Sequence, residues 1–258
     1  MIIVKTYNEL ETFFKAFNKG MINLLVIESD GGLGKTHTAE TIIKGGLFIR
    51  GHATPLSIYL EIDEKKPELI VFDDVETLLN NKTTTTLLKQ ICDTKNTKII
   101  NYHTTAKIGN KEVPKQIKTQ ARTLILTNDL KRTGKNLEAL LSRAHIIHFK
   151  PTMDEVLLKM SLFKKVDEEV LMAVNEIKGD VLKLNFRTYV KAKELKESKM
   201  DWKKYLYAMC SVDTSIVAWR SIETFNPKMK QKDKIKLFIE MTGKSERTYY
   251  NIKNSLQN

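Results

Sequence analysis

The chain opens on a short apolar run at residues 2–4 and then changes period. Thr6 and Glu9 have the spacing of a capping box, and behind them Leu10, Phe13, Phe14 and Phe17 fall on one helical face. Residues 23–28 (NLLVIE) form a buried-strand pattern that runs straight into SDGGLGKT. Helical spacing continues over 35–44 until Gly45-Gly46 stops it. A second strand is predicted over 47–51, and Pro55 opens a short helix through Glu64. Residues 68–73 (ELIVFD) predict a third strand, apolar until it ends in acids. A helix over 83–92, strands over 97–102 and 123–127, a helix over 137–142 and a strand over 145–149 complete the series. Strands alternating with helices predict an α/β fold with a mainly parallel sheet.

Pro151 marks a change of character, because from there on the pattern is helical with almost no strand signal. Helices are predicted over 154–165, 167–177, 181–196 and 202–225, followed by a basic linker, NPKMKQKDK, and two short helices. The expected organisation is an α/β core over 1–150, a helical lid over 151–200 and a small helical domain over 201–258. No internal repeat is visible, and the only low-complexity run is Thr83 to Thr86.

Composition adds limits. A chain of 258 residues, 41% hydrophobic and 29% charged, suits a soluble globular protein with a sizeable core. No apolar run approaches the roughly 20 residues that span a bilayer, so no membrane role is expected. The N-terminal segment has no export signature, and Cys92 and Cys210 stand far apart without metal-ligand spacing; both features point to the cytoplasm. His37, His52, His103, His145 and His148 likewise show no metal spacing. The formal net charge of +12 suits a polyanionic partner, although a lysine-rich solvated surface gives the same number.

The chemistry concentrates at Ser29, Asp30, Gly31, Gly32, Leu33, Gly34, Lys35 and Thr36, between a strand and a helix. The glycines let the backbone curl so that successive N–H groups face an anion, and the helix adds the positive end of its dipole. Lys35 suits the β- and γ-phosphates of ATP, and the Thr36 hydroxyl suits Mg2+, with His37 next in line. Ser29 replaces the first glycine of the usual pattern. Together these residues predict a P-loop NTPase core. Asp73, at the end of an apolar strand, is the expected second magnesium ligand. Asp74 is placed to polarise the attacking water, with Glu76 the alternative; adjacent acids there would also serve as a helix cap.

In order along the chain, SDGGLGKT, Asp73-Asp74, TLILTND and LLSRAHIIHF resemble the motifs of the AAA+ ATPase superfamily over roughly residues 2–196. The wording between the motifs resembles initiator, clamp-loader and helicase-loader members from phages and mobile elements. The resemblance implies that Asn128 is a sensor that orients water against the γ-phosphate. It implies that Arg143 is an arginine finger acting on a neighbouring subunit's ATP, and that Arg187, in NFRTYV, is a second sensor on the same subunit's γ-phosphate. It also implies a homo-oligomer, a ring or spiral with six subunits the expected size, and a replication or recombination protein as a possible partner.

Two segments are candidates for DNA. The stretch 102–122 carries Lys107, Lys111, Lys115 and Lys118 around Gly109-Asn110, a dipeptide that favours a hairpin, although an ordinary solvated loop would look similar. The stretch 234–256 resembles a helix-turn-helix whose second helix turns Arg247, Tyr250 and Lys253 toward DNA. The expected function is an oligomeric ATP hydrolase acting on DNA, as a replication-type motor, helicase or loader. The alternatives are an ATP-dependent switch that recruits a partner, a protein remodeller, and a small-molecule kinase. The paired acids, Asn128 and the Ser142-Arg143 pair speak against the kinase.

Overall fold

The computed structural model describes residues 2–74, 82–108, 111–130, 138–179, 184–210 and 212–257. The chain falls into two compact units, Met1–Glu155 and Val156–Asn258.

The first unit is built on a six-stranded, wholly parallel sheet. Its strands are β1 (Ile2–Val4), β2 (Leu24–Glu28), β3 (Leu47–Arg50), β4 (Leu69–Asp73), β9 (Arg122–Thr127) and β10 (His145–Phe149), ordered β1-β10-β2-β9-β4-β3. Every residue of β2 and β4 is buried, which explains their unbroken apolar runs. The predicted capping box forms at Thr6, whose hydroxyl accepts from the Glu9 amide, and starts helix Tyr7–Asn18. That helix buries Leu10, Phe14 and Phe17 and leaves Phe13 half-buried, so the apolar face is narrower than the pattern suggested. A second capping box, between Thr54 and Ser57, starts helix Pro55–Lys65 with proline in its first turn. These elements give an α/β architecture with helices flanking a parallel sheet, consistent with a P-loop NTPase core.

Topology decides where the chemistry goes. Strand β9 lies between β2 and β4, and register pairs Glu28 with Thr127, Asp73 with Leu126 and Arg50 with Asp73. All these residues therefore stand at the carboxyl edge of one sheet.

Residues 97–102 depart from the expected parallel series. They yield β5 (Lys98–Asn101), which pairs antiparallel with β8 (Gln116–Thr119) in a separate two-stranded sheet. Between them the short strands β6 (Lys107–Ile108) and β7 (Lys111–Glu112) pair antiparallel; Gly109-Asn110, the expected turn, lies outside the described residues. The insertion is tied down by a fully buried lysine. Lys98 Nζ donates to Asn23 Oδ1 at 3.1 Å and to the Ala121 carbonyl, and burial pushes its ammonium down from the usual value. Tyr59 adds a stacked contact with Tyr102, ring centroids 5.1 Å apart, and donates to the Pro114 carbonyl at 2.7 Å.

In the second unit the predicted helix over 202–225 is two helices, Trp202–Met209 and Thr214–Phe225, the latter started by the Asp213 carboxylate on the Ser215 amide. The helix expected over 181–196 begins at Phe186 behind an Asn185 cap, and residues 181–183 lie outside the described residues. Part of the basic linker is also helical. Helix Gln231–Thr242 absorbs its second half and is followed by helix Glu246–Gln257. No described helix is long and apolar enough to cross a membrane.

Candidate nucleotide-binding site

The loop from Ser29 to Gly34 takes its shape from two glycines in the left-handed region, Gly32 at φ 79° and Gly34 at φ 77°, just ahead of helix Lys35–Ile42. Alternation of left- and right-handed residues makes a concave run of amides suited to an anion. Lys35 is 7% exposed, and its ammonium donates to the Ser29 carbonyl at 2.6 Å, the Asp30 carbonyl at 3.3 Å and Asn128 Oδ1 at 2.9 Å. Ser29 and Leu33 are also buried, whereas Asp30 and His37 are exposed.

A hydrogen-bonded line continues from there. Asn128 follows β9 and donates through Nδ2 to Asp74 Oδ1 at 3.1 Å, while Thr36 Oγ1 donates to Asp73 Oδ1 at 2.9 Å. Lys35, Thr36, Asp73, Asp74 and Asn128 thus converge from three segments of chain. Asp74 has φ 59°, a strained region for a residue with a side chain, and its amide donates to the Leu126 carbonyl. Burial raises the Asp73 carboxyl above its ordinary value, and the Asp74 charge adds to this. The Thr36 hydroxyl, Arg50 and Lys35 act in the opposite direction without cancelling it. A buried carboxylate beside a hydroxyl is a hard-oxygen pair of the kind magnesium takes, so these donors fit that ion.

No family model and no curated protein matches this chain. A solved structure described as "Structural Basis for Katanin Self-Assembly" is similar at a TM-score of 0.45 and 11% identity, over 74% of this chain and 68% of that chain.

Arg143 is exposed and has Asp93 as an ion-pair partner at 3.9 Å. Arg187 belongs to the second unit, exposed in the first turn of helix Phe186–Glu197. Lys107, Lys115 and Lys118 are exposed on the insertion, and Lys111 lies in β7. Arg247 and Tyr250 are exposed on the last helix, whereas Lys253 is half-buried. Glu76 lies outside the described residues.

Four residues of the corner escaped the sequence. Arg50 ends β3 and holds Asp73 Oδ2 at 3.4 Å, while also pairing with Glu40. Glu28, the residue before the loop, accepts from the Leu130 amide at 2.9 Å and meets His148 Nδ1 at 2.6 Å. Its carboxylate therefore ties β10 to the turn that carries Asn128. Tyr7 donates from helix Tyr7–Asn18 to the Leu33 carbonyl at 3.1 Å and bracing follows from its edge contact with Phe149. A single charge closing each apolar strand was the available signal for Glu28 and Arg50.

Proposed function

We propose that this chain is a magnesium-dependent ATPase of the AAA+ type that works as an oligomer and acts on DNA. The observation that carries the ATPase reading is the hydrogen-bonded line from Lys35 through Asn128 to Asp74, with Thr36 on Asp73 beside it.

Each residue then has a task. The loop amides and Lys35 bind the phosphate chain and offset its charge. Thr36 and Asp73 would hold magnesium, which when bound neutralises charge on the phosphate oxygens. Asp74 orients the attacking water and accepts its proton. Asn128, fixed between Lys35 and Asp74, keeps water and phosphate in register. Exposure of Arg143 suits a residue that serves a neighbouring subunit, a role worth about 10³–10⁵ in rate where such fingers operate. Arg50, Glu28 and Tyr7 position these groups and do no chemistry.

The DNA part rests on the net charge of +12 and on the exposure of Lys107, Lys115 and Lys118. Steady-state ATP hydrolysis without DNA, with single strands and with duplex tests both parts, using Lys35→Ala and Arg143→Ala as controls. DNA-stimulated turnover lost in both variants is the expected result. Turnover indifferent to DNA but lost in Arg143→Ala would keep the oligomeric ATPase and replace DNA with a protein substrate.

A further inference from the structure

The last three helices, Thr214–Phe225, Gln231–Thr242 and Glu246–Gln257, share a core of Trp219, Ile222, Ile235, Phe238, Tyr249 and Ile252. Gly243, at φ 65°, ends the middle helix with its amide on the Ile239 carbonyl, and the Ser245 hydroxyl receives the Thr248 amide to start the last helix. Glu223 fixes the assembly from below, accepting from Lys234 at 2.7 Å and from the Tyr249 hydroxyl. The rotation of the last helix about its axis is therefore set, with Tyr249 and Ile252 turned inward.

That rotation exposes Arg247, Tyr250, Asn251 and Asn254. Counted from Arg247 they are three, four and seven positions on, so they form one stripe along the helix. Lys253, expected on this face, is instead half-buried, and its charge helps hold the Glu223 carboxyl down. The stripe spans about 10 Å, the rise of about three base pairs. Its residue types are selective. An arginine fork matches the O6 and N7 of guanine, and an asparagine amide matches the N6 and N7 of adenine. A helix made for an apolar protein groove would carry large apolar side chains at these positions. Around the stripe the charge suits a polyanion, since residues 226–258 hold eight Lys or Arg against three Asp or Glu.

We propose that helix Glu246–Gln257 enters the major groove of duplex DNA and reads a short preferred sequence, with Arg247 on guanine and Asn251 and Asn254 on adenines. This rests on the DNA-acting reading above and adds base specificity to it. The full-length protein would be used to select binders from a random duplex library. Affinities for the enriched duplex and a scrambled one of equal composition would then be compared by fluorescence anisotropy. The expected result is an enriched motif containing guanine and adenine, bound at least about 100-fold more tightly than the scrambled duplex. Asn251→Ala and Asn254→Ala should each remove about tenfold of that preference at one position and leave the scrambled affinity unchanged. Both residues are exposed, so neither variant disturbs the core. Duplex binding without enrichment, or variants that weaken both duplexes equally, would overturn base reading while leaving DNA action standing. Absence of duplex binding with single-strand binding retained would overturn base reading alone, and absence of binding to either would overturn both.

Discussion

The lysines of the nucleotide corner and those of the insertion carry the same charge to different ends. Lys35 is buried and meets three oxygens, two of them carbonyls of its own loop. Lys107, Lys115 and Lys118 are exposed. Removing an ammonium from water is costly unless oxygens compensate, so a buried lysine implies a site built around one geometry. An exposed lysine loses little and gains little, and its value comes from long-range attraction that salt screens. The first arrangement suits a small ligand held in one pose, and the second suits a polyanion that slides. Lys98 shows that burial alone is not function, because its acceptors Asn23 and Ala121 belong to the frame that mounts the insertion.

The largest break in this comparison is expected from Lys35→Ala, which should lower ATP turnover by at least about 100-fold while leaving DNA affinity unchanged. Turnover and anisotropy on one preparation check this. Replacing Lys107, Lys115 and Lys118 together with alanine should do the reverse. DNA affinity should fall about tenfold or more at low salt, and the slope of log affinity against log salt should flatten by about 2 to 3, with basal ATPase unchanged. A smaller effect concerns pH. The folded-state carboxyl of Asp73 titrates above its ordinary value, so ionising it costs the fold stability once pH rises above the ordinary carboxylate range. Magnesium and protons then compete for it, and the magnesium concentration for half-maximal turnover should rise as pH falls toward that range. Asp73→Asn should abolish this dependence. Least affected should be Tyr7→Phe, which loses one hydrogen bond to the Leu33 carbonyl and should cost about 1 kcal/mol of stability, read from denaturant unfolding.

What the sequence reveals follows from how local each feature is. The loop at 29–36 and the acids at Asp73-Asp74 are contiguous, each at the end of an apolar strand, so the sequence alone singles both out. The parallel sheet is legible for the same reason. Glu28 with His148 and Arg50 with Asp73 meet only through the register of adjacent strands, so no local pattern announces them. Residues 97–102 show the opposite difficulty, because an apolar strand reads alike in a parallel core and in an antiparallel pair. On the last helix, spacing put Arg247 and Tyr250 among positions that are exposed, but the packing of Tyr249 and Ile252 was needed to show that Lys253 is half-buried and that Asn251 and Asn254 are exposed.

The most direct test of the central claim is ATP binding and ATP turnover measured on one sample of Asp74→Asn. Asparagine tolerates the left-handed backbone at this position and still accepts from Asn128, so the corner keeps its shape and loses only the charge. The account predicts magnesium-dependent ATP binding at wild-type affinity with turnover reduced by at least about 100-fold. Turnover that survives the substitution, or a wild-type protein that does not bind ATP, would contradict it.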